Sequence, residues 1–132
     1  MNKLKIILIL LMVMLTSGCT KAFILMKSVP ITPQNAENYE QRFKTGQRIY
    51  YAIIKQKDFK DDVIRVQIMK KNDKIETLGY SIVWAKDIEI DPSKRYYSNY
   101  FTISKGGLYL MRIFELRRTD KALAAYDFWV SE

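Results

Sequence analysis

The sequence predicts an all-β chain of seven or eight short strands, packed as an antiparallel sandwich, and three observations carry that prediction. Aromatic residues make up 13% of the chain, and tyrosine alone supplies nine of them. Flat rings suit a pleated, half-buried surface. Beyond residue 39, apolar residues recur with a period of two, the period of a strand and not the 3.6 of a helix. Clusters of Gly, Pro, Asn and Asp punctuate these runs at near-regular intervals. With 132 residues there is material for one domain.

The first element is not part of that domain. Met1 to Lys5 is short and basic, Ile6 to Leu15 is an unbroken apolar run, and Thr16, Ser17 and Gly18 are small. These are the parts of an export signal, and the run is shorter than the ~20 apolar residues a membrane span needs. Cys19, the chain's only cysteine, follows at once. The Ser17-Gly18-Cys19 junction resembles the lipobox of bacterial lipoproteins. That resemblance covers the first nineteen residues and implies cleavage between Gly18 and Cys19, with a lipid on the Cys19 thiol. It implies a chain held at a membrane of the cell envelope, outside the cytoplasm. One departure is that the family's usual Leu three positions before the Cys is Thr16 here, with Leu15 a step earlier. Each buried acyl CH₂ contributes about 0.8 kcal/mol, so two or three chains anchor a soluble domain. An ordinary cleaved signal with a free thiol and an uncleaved anchor are the competing readings, and both also leave the domain outside the cytoplasm.

Residues 19–38 read as the lipidated cysteine and a tether, with Pro30, Pro33 and several amides. Within it, Ala22 to Met26 (AFILM) is apolar and leaves two readings, a first strand or a segment in the lipid interface. The sandwich is expected over 39–132. Tyr39, Gln41 and Phe43 alternate with charged neighbours, and Gly46 makes a turn. Arg48 to Lys55 (RIYYAIIK) is apolar on both faces, as a central strand is. In Val63 to Lys70, Ile64, Val66 and Ile68 share one face against Arg65 and Gln67. After a turn at 71–74, Leu78, Tyr80, Ile82 and Trp84 are expected on one side of the next strand, which runs on into KDIEID. Tyr96 to Ile103, Leu108 to Leu116 and Ala122 to Val130 complete the set.

The last two strands carry a second resemblance. Gly107-Leu108-Tyr109 opens one and Phe128-Trp129-Val130 closes the other, similar to the closing pair of immunoglobulin-like and fibronectin-type-III-like sandwiches of bacterial envelope proteins. The resemblance covers about 25 residues and implies a fold, not a function. It gives Tyr109 a tyrosine-corner role two residues before Met111, which takes the core position held by Cys in antibody domains. Alternation then sends Tyr109, Met111 and Ile113 inward from one strand, and Ala124, Tyr126, Phe128 and Val130 inward from the other. Trp129 falls on the outer face.

Composition excludes several chemistries. There is no histidine and one cysteine, so a Cys/His metal site, a Ser-His-Asp triad and an internal disulfide cannot be built within the chain. Neither a phosphate-binding Gly-rich loop nor a Gly-x-Ser-x-Gly elbow is present. No cofactor is expected. The net charge is +8, which fits an anionic surface or merely soluble lysine-bearing strands; export disfavours nucleic acid as a partner. Asp87, Glu89 and Asp91 alternate with isoleucines, so on a strand they line one face about 6.6 Å apart. They are weak candidates for Ca²⁺ and need Asp61 or Asp62 to converge with them. Tyr96, Tyr97 and Tyr100, with Trp129, are the candidate binding residues for a glycan or an envelope protein, since tyrosine joins an apolar body to a polar tip. Arg117, Arg118 and Lys121, and Lys70, Lys71 and Lys74, form basic turns. The expectation is a non-enzymatic binding or structural module anchored to a membrane through Cys19. The alternative is a small envelope enzyme or calcium-binding protein using clustered carboxylates.

Overall fold

A computed structural model describes residues 22–132, apart from 73, 75–77, 118 and 120. The expected signal segment and Cys19 lie outside the described residues. The described residues form eight strands: β1 (Ala22–Lys27), β2 (Arg42–Lys44), β3 (Ile49–Lys55), β4 (Val63–Lys71), β5 (Tyr80–Glu89), β6 (Tyr96–Phe101), β7 (Gly107–Glu115) and β8 (Ala124–Ser131). They build two sheets, ordered β1-β3-β6 and β2-β8-β7-β4-β5. All pairs are antiparallel except β2 with β8. The order is that of an immunoglobulin-like sandwich, with β4, β7 and β8 in the places of strands C, F and G and β5 in that of C′. The three-stranded sheet holds A, B and E, and among the described residues β6 has no neighbour where D would lie.

Alternation decides which residues fill the space between the sheets. Ile64, Val66 and Ile68 of β4, Tyr109, Met111 and Ile113 of β7, and Phe128 and Val130 of β8 are buried as their period of two predicts. They meet Ile49, Tyr51 and Ile53 of β3 and Ile24 and Met26 of β1. The register Tyr109↔Phe128 and Ile113↔Ala124 in the last hairpin is the one that places these faces together. Trp129, one residue on, is 52% exposed.

The tether expected over 19–38 needs correction. Ala22 to Met26 is a strand, paired with β3 from Ala22↔Lys55 to Lys27↔Tyr50, so the sandwich begins at 22 and not at 39. The segment after it is bonded to the domain as well. Ser28 donates through its backbone N–H (2.6 Å) and hydroxyl (2.9 Å) to the Glu40 carboxylate. The Tyr126 hydroxyl donates to the Glu40 carbonyl at 2.6 Å. Lys27 reaches the Asn38 carbonyl.

Candidate functional site

The two sheets are unequal, and this asymmetry makes the site. β1 packs against β8 at one side of the sandwich, so three strands facing five leave an overhang at the other side, at β5. β5 and β6 are both edge strands there, and a cleft of about 680 Å³ opens between them. Its walls are Val83 and Trp84 of β5, Phe101 of β6, and Tyr109 at the start of β7, with Lys70, Tyr100 and Lys105 in the lining.

Each wall has a local cause. The β4–β5 register slips between Ile68 and Met69, where Ile68 faces Trp84 but Met69 faces Ile82. Val83 is the extra residue of this bulge, and a bulge redirects side chains. Trp84 therefore shares the inward side with Ile68, while Ile82 goes out with Met69, so the expected common face of Leu78, Tyr80, Ile82 and Trp84 does not form. Tyr109 is fixed from three directions. Its hydroxyl donates to the Lys105 carbonyl at 2.6 Å, its ring stacks on Phe128 with centroids 5.6 Å apart, and the Lys70 ammonium stands 5.9 Å from its ring. The bond to a carbonyl four residues upstream is the tyrosine corner that the sequence resemblance implies, and burial raises the Tyr109 pKa. Gly107 has φ +152°, and a Cβ there would stand 2.8 Å from Lys70 Cε. A side chain at 107 would thus push Lys70 off the mouth of the cleft.

The edge above the cleft is unusually bare. Leu78 is 90% exposed, Ile82 58%, Val83 54% and Trp84 36%. The charges of β5, Lys86, Asp87 and Glu89, all lie in its second half.

The residues singled out from sequence separate. Tyr96 and Tyr100 are exposed on the outer face of β6. There Tyr100 meets Tyr50 at 5.6 Å and Arg48 at 4.7 Å. Tyr97 points the other way and packs on Tyr51, centroids 6.2 Å apart, which removes it from any outer binding surface. Trp129 lies on the other sheet, on the outer face opposite Leu108. Of the four, only Tyr100 reaches the cleft.

The carboxylates do not converge. Asp87 holds Arg65 through a two-point contact of 2.8 and 3.2 Å, and these hydrogen bonds lower its pKa. Glu89 is exposed on β5. Asp91 accepts from the Ser93 N–H at 3.0 Å and hydroxyl at 2.6 Å, closing a turn, and these bonds likewise lower its pKa. Asp61 is buried against Arg117 at 2.9 Å. Among the described residues no three Asp, Glu, Cys or His side chains are grouped as metal ligands.

Sequence reasoning missed Trp84 and Lys70 as parts of a site. The available signal was YSIVWA, a run apolar at both parities that passes directly into the charged KDIEID. Such a run is either central or bare, and strand order decides which.

No family model matches the chain, and no curated protein matches it. Solved structures with a similar arrangement include the soluble domain of PmoD from Methylocystis sp., at 15% identity over 83% of this chain and 90% of that one, TM-score 0.48. A superoxide reductase (neelaredoxin) from Ignicoccus hospitalis is 9% identical over 85% and 82%, TM-score 0.48. An immunoglobulin-like protein from Pseudomonas aeruginosa is 10% identical over 85% and 91%, TM-score 0.46. Likeness at this level carries no argument about activity.

Proposed function

We propose that this chain is a lipid-anchored module of a bacterial envelope that binds a protein partner by accepting an extended segment along β5. The observation that carries the reading is the bare apolar edge from Leu78 to Ala85, set above an aromatic-walled cleft. Natural sheets blunt their edges with lysine, proline or short strands. β5 is ten residues long and keeps its charges to one end. An added strand forms main-chain hydrogen bonds with such an edge and sets alternate side chains into the adjoining pocket. Enzymatic or calcium chemistry has less support, because Asp87, Asp91 and Asp61 are engaged separately and Glu89 is exposed on β5. Anchoring rests on the Ser17-Gly18-Cys19 junction and is checked by Cys19→Ser, which should release the chain from membranes.

The binding reading is tested by capturing partners on the full-length protein and mapping amide exchange in the complex. Slowed exchange in β5, together with loss of capture in Val83→Lys, is the expected result. Protection confined to other strands, with Val83→Lys capturing normally, would refute it.

A further inference from the structure

The distance from Cys19 to the sandwich fixes how the domain sits, once the anchoring reading above is granted. β1 is in register with β3 from its first residue, Ala22↔Lys55. Only Thr20 and Lys21 separate the lipidated cysteine from the sheet. Three fully extended steps span about 11 Å at most. The domain therefore has no tether, and the pole where β1 begins is held near the lipid headgroups.

The register places the rest of that pole. The end of β3 lies beside the start of β1, the start of β4 beside the ends of β5 and β7, and the start of β6 beside the end of β3. The turns 56–62 and 90–95, with Leu116, Arg117 and Lys121 of the last turn, consequently gather around Ala22. Lys57, Lys60, Lys94 and Lys121 are exposed on them and hold no salt bridge among the described residues. Asp58 is paired with Arg95 and Asp61 with Arg117, while Asp62 and Asp91, also exposed on these turns, offset two of the four lysines. Leu116, at the tip of the last turn, is 38% exposed. Lysines within about a Debye length of an anionic membrane are attracted to it, and an exposed leucine adds apolar contact.

We propose that the pole formed by the turns 56–62 and 90–95, with Leu116, Arg117 and Lys121, is a membrane-docking surface for anionic lipid headgroups, so that the β5–β6 cleft opens away from the membrane. The cleft's lining runs through Thr102 to Lys105, beyond the far end of β6. A nine-residue strand such as β4 separates the two poles by roughly 30 Å.

The test uses the full-length lipoprotein in vesicles containing phosphatidylglycerol, with one cysteine introduced at the near pole (Lys94→Cys or Lys121→Cys) or the far pole (Ser104→Cys). Each carries a fluorophore read against a quencher on the headgroups. Cys19, once lipidated, takes no label. The expected result is flotation with the vesicles, quenching several-fold stronger at 94 and 121 than at 104, and loss of that contrast when a ten-residue Gly-Ser insert follows Lys21. In the same assay, Lys57→Glu should weaken near-pole quenching in anionic vesicles and leave it unchanged in phosphatidylcholine. Flotation with equal quenching at both poles, or a contrast that survives the insert, overturns the docking surface and leaves the anchor standing. Failure to float, with label on Cys19, overturns the anchor and the orientation with it.

Discussion

Lys55 ends β3 with its ammonium between the sheets, 3.1 Å from the Glu115 carboxylate and 5.1 Å from the Phe59 ring. Both side chains are almost wholly buried. A charge left alone in such a place costs more than the pair contributes. Lys55→Met should therefore destabilise the fold by about 3–5 kcal/mol, and adding Glu115→Leu should restore most of the loss; chemical denaturation of the single and double variants measures both. Phe128 and Trp129 make the second comparison at this scale. Phe128 is fully buried and touches the rings of Phe43, Phe101 and Tyr109, while Trp129 is half exposed. Phe128→Ala should cost about 3–5 kcal/mol and Trp129→Ala about 1 kcal/mol. A larger cost for Trp129→Ala than for Phe128→Ala in denaturation would place the β8 register one residue out. This contrast was legible in the sequence, because Asp127 marks the face that Trp129 shares. The Lys55–Glu115 pair was not, because its members are sixty positions apart and each looks like a strand-end charge facing water.

β1 shows the same limit among the elements. AFILM is short, apolar and close to the apolar run at the N-terminus, so lipid and sheet explain it equally well by composition. Its partner is the β3 edge, and its Ile24 and Met26 complete the core. A fragment starting at Asn38 should lose these side chains and expose the apolar edge of β3. It should unfold at lower denaturant, with a broader transition, than a fragment starting at Ala22; both give β-type far-ultraviolet spectra only if folded. Matching midpoints for the two fragments would show that β1 adds nothing to the sandwich. β5 fails in the opposite sense. Its YSIVWA half has the composition of a core strand and lies at an edge.

For the molecule as a whole, buried tyrosines set an alkaline limit. Burial raises the pKa of Tyr51, most strongly, and of Tyr109, and pushes that of Tyr126 up to about 12. In the unfolded chain these groups ionise near pH 10. Above that pH the unfolded state binds fewer protons than the native state, so stability falls as pH rises. Their contribution is intact below about pH 10 and is lost progressively through about pH 12. Denaturant midpoints should decline over this window, in step with delayed tyrosinate absorbance, and the decline should be shallower in Tyr126→Phe. A flat profile would show that these hydroxyls are not shielded in the fold.

What the sequence determined by itself was local. The period of two in 63–70, 107–115 and 124–130 set the inward faces of β4, β7 and β8, because neighbouring side chains on any strand point to opposite sides whatever surrounds it. The Tyr109 corner was legible for the same reason, since its partner carbonyl is four residues away. What only the tertiary structure decided was which apolar surfaces find cover. RIYYAIIK and YSIVWA are alike in pattern, yet among the described residues the first is flanked by β1 and β6 and the second has a neighbour on one side only. Burial depends on the strand that lies alongside and the sheet that lies across, and both are contributed by residues far away in the chain. The cleft between β5 and β6 exists because five strands face three, a fact that no stretch of the sequence contains.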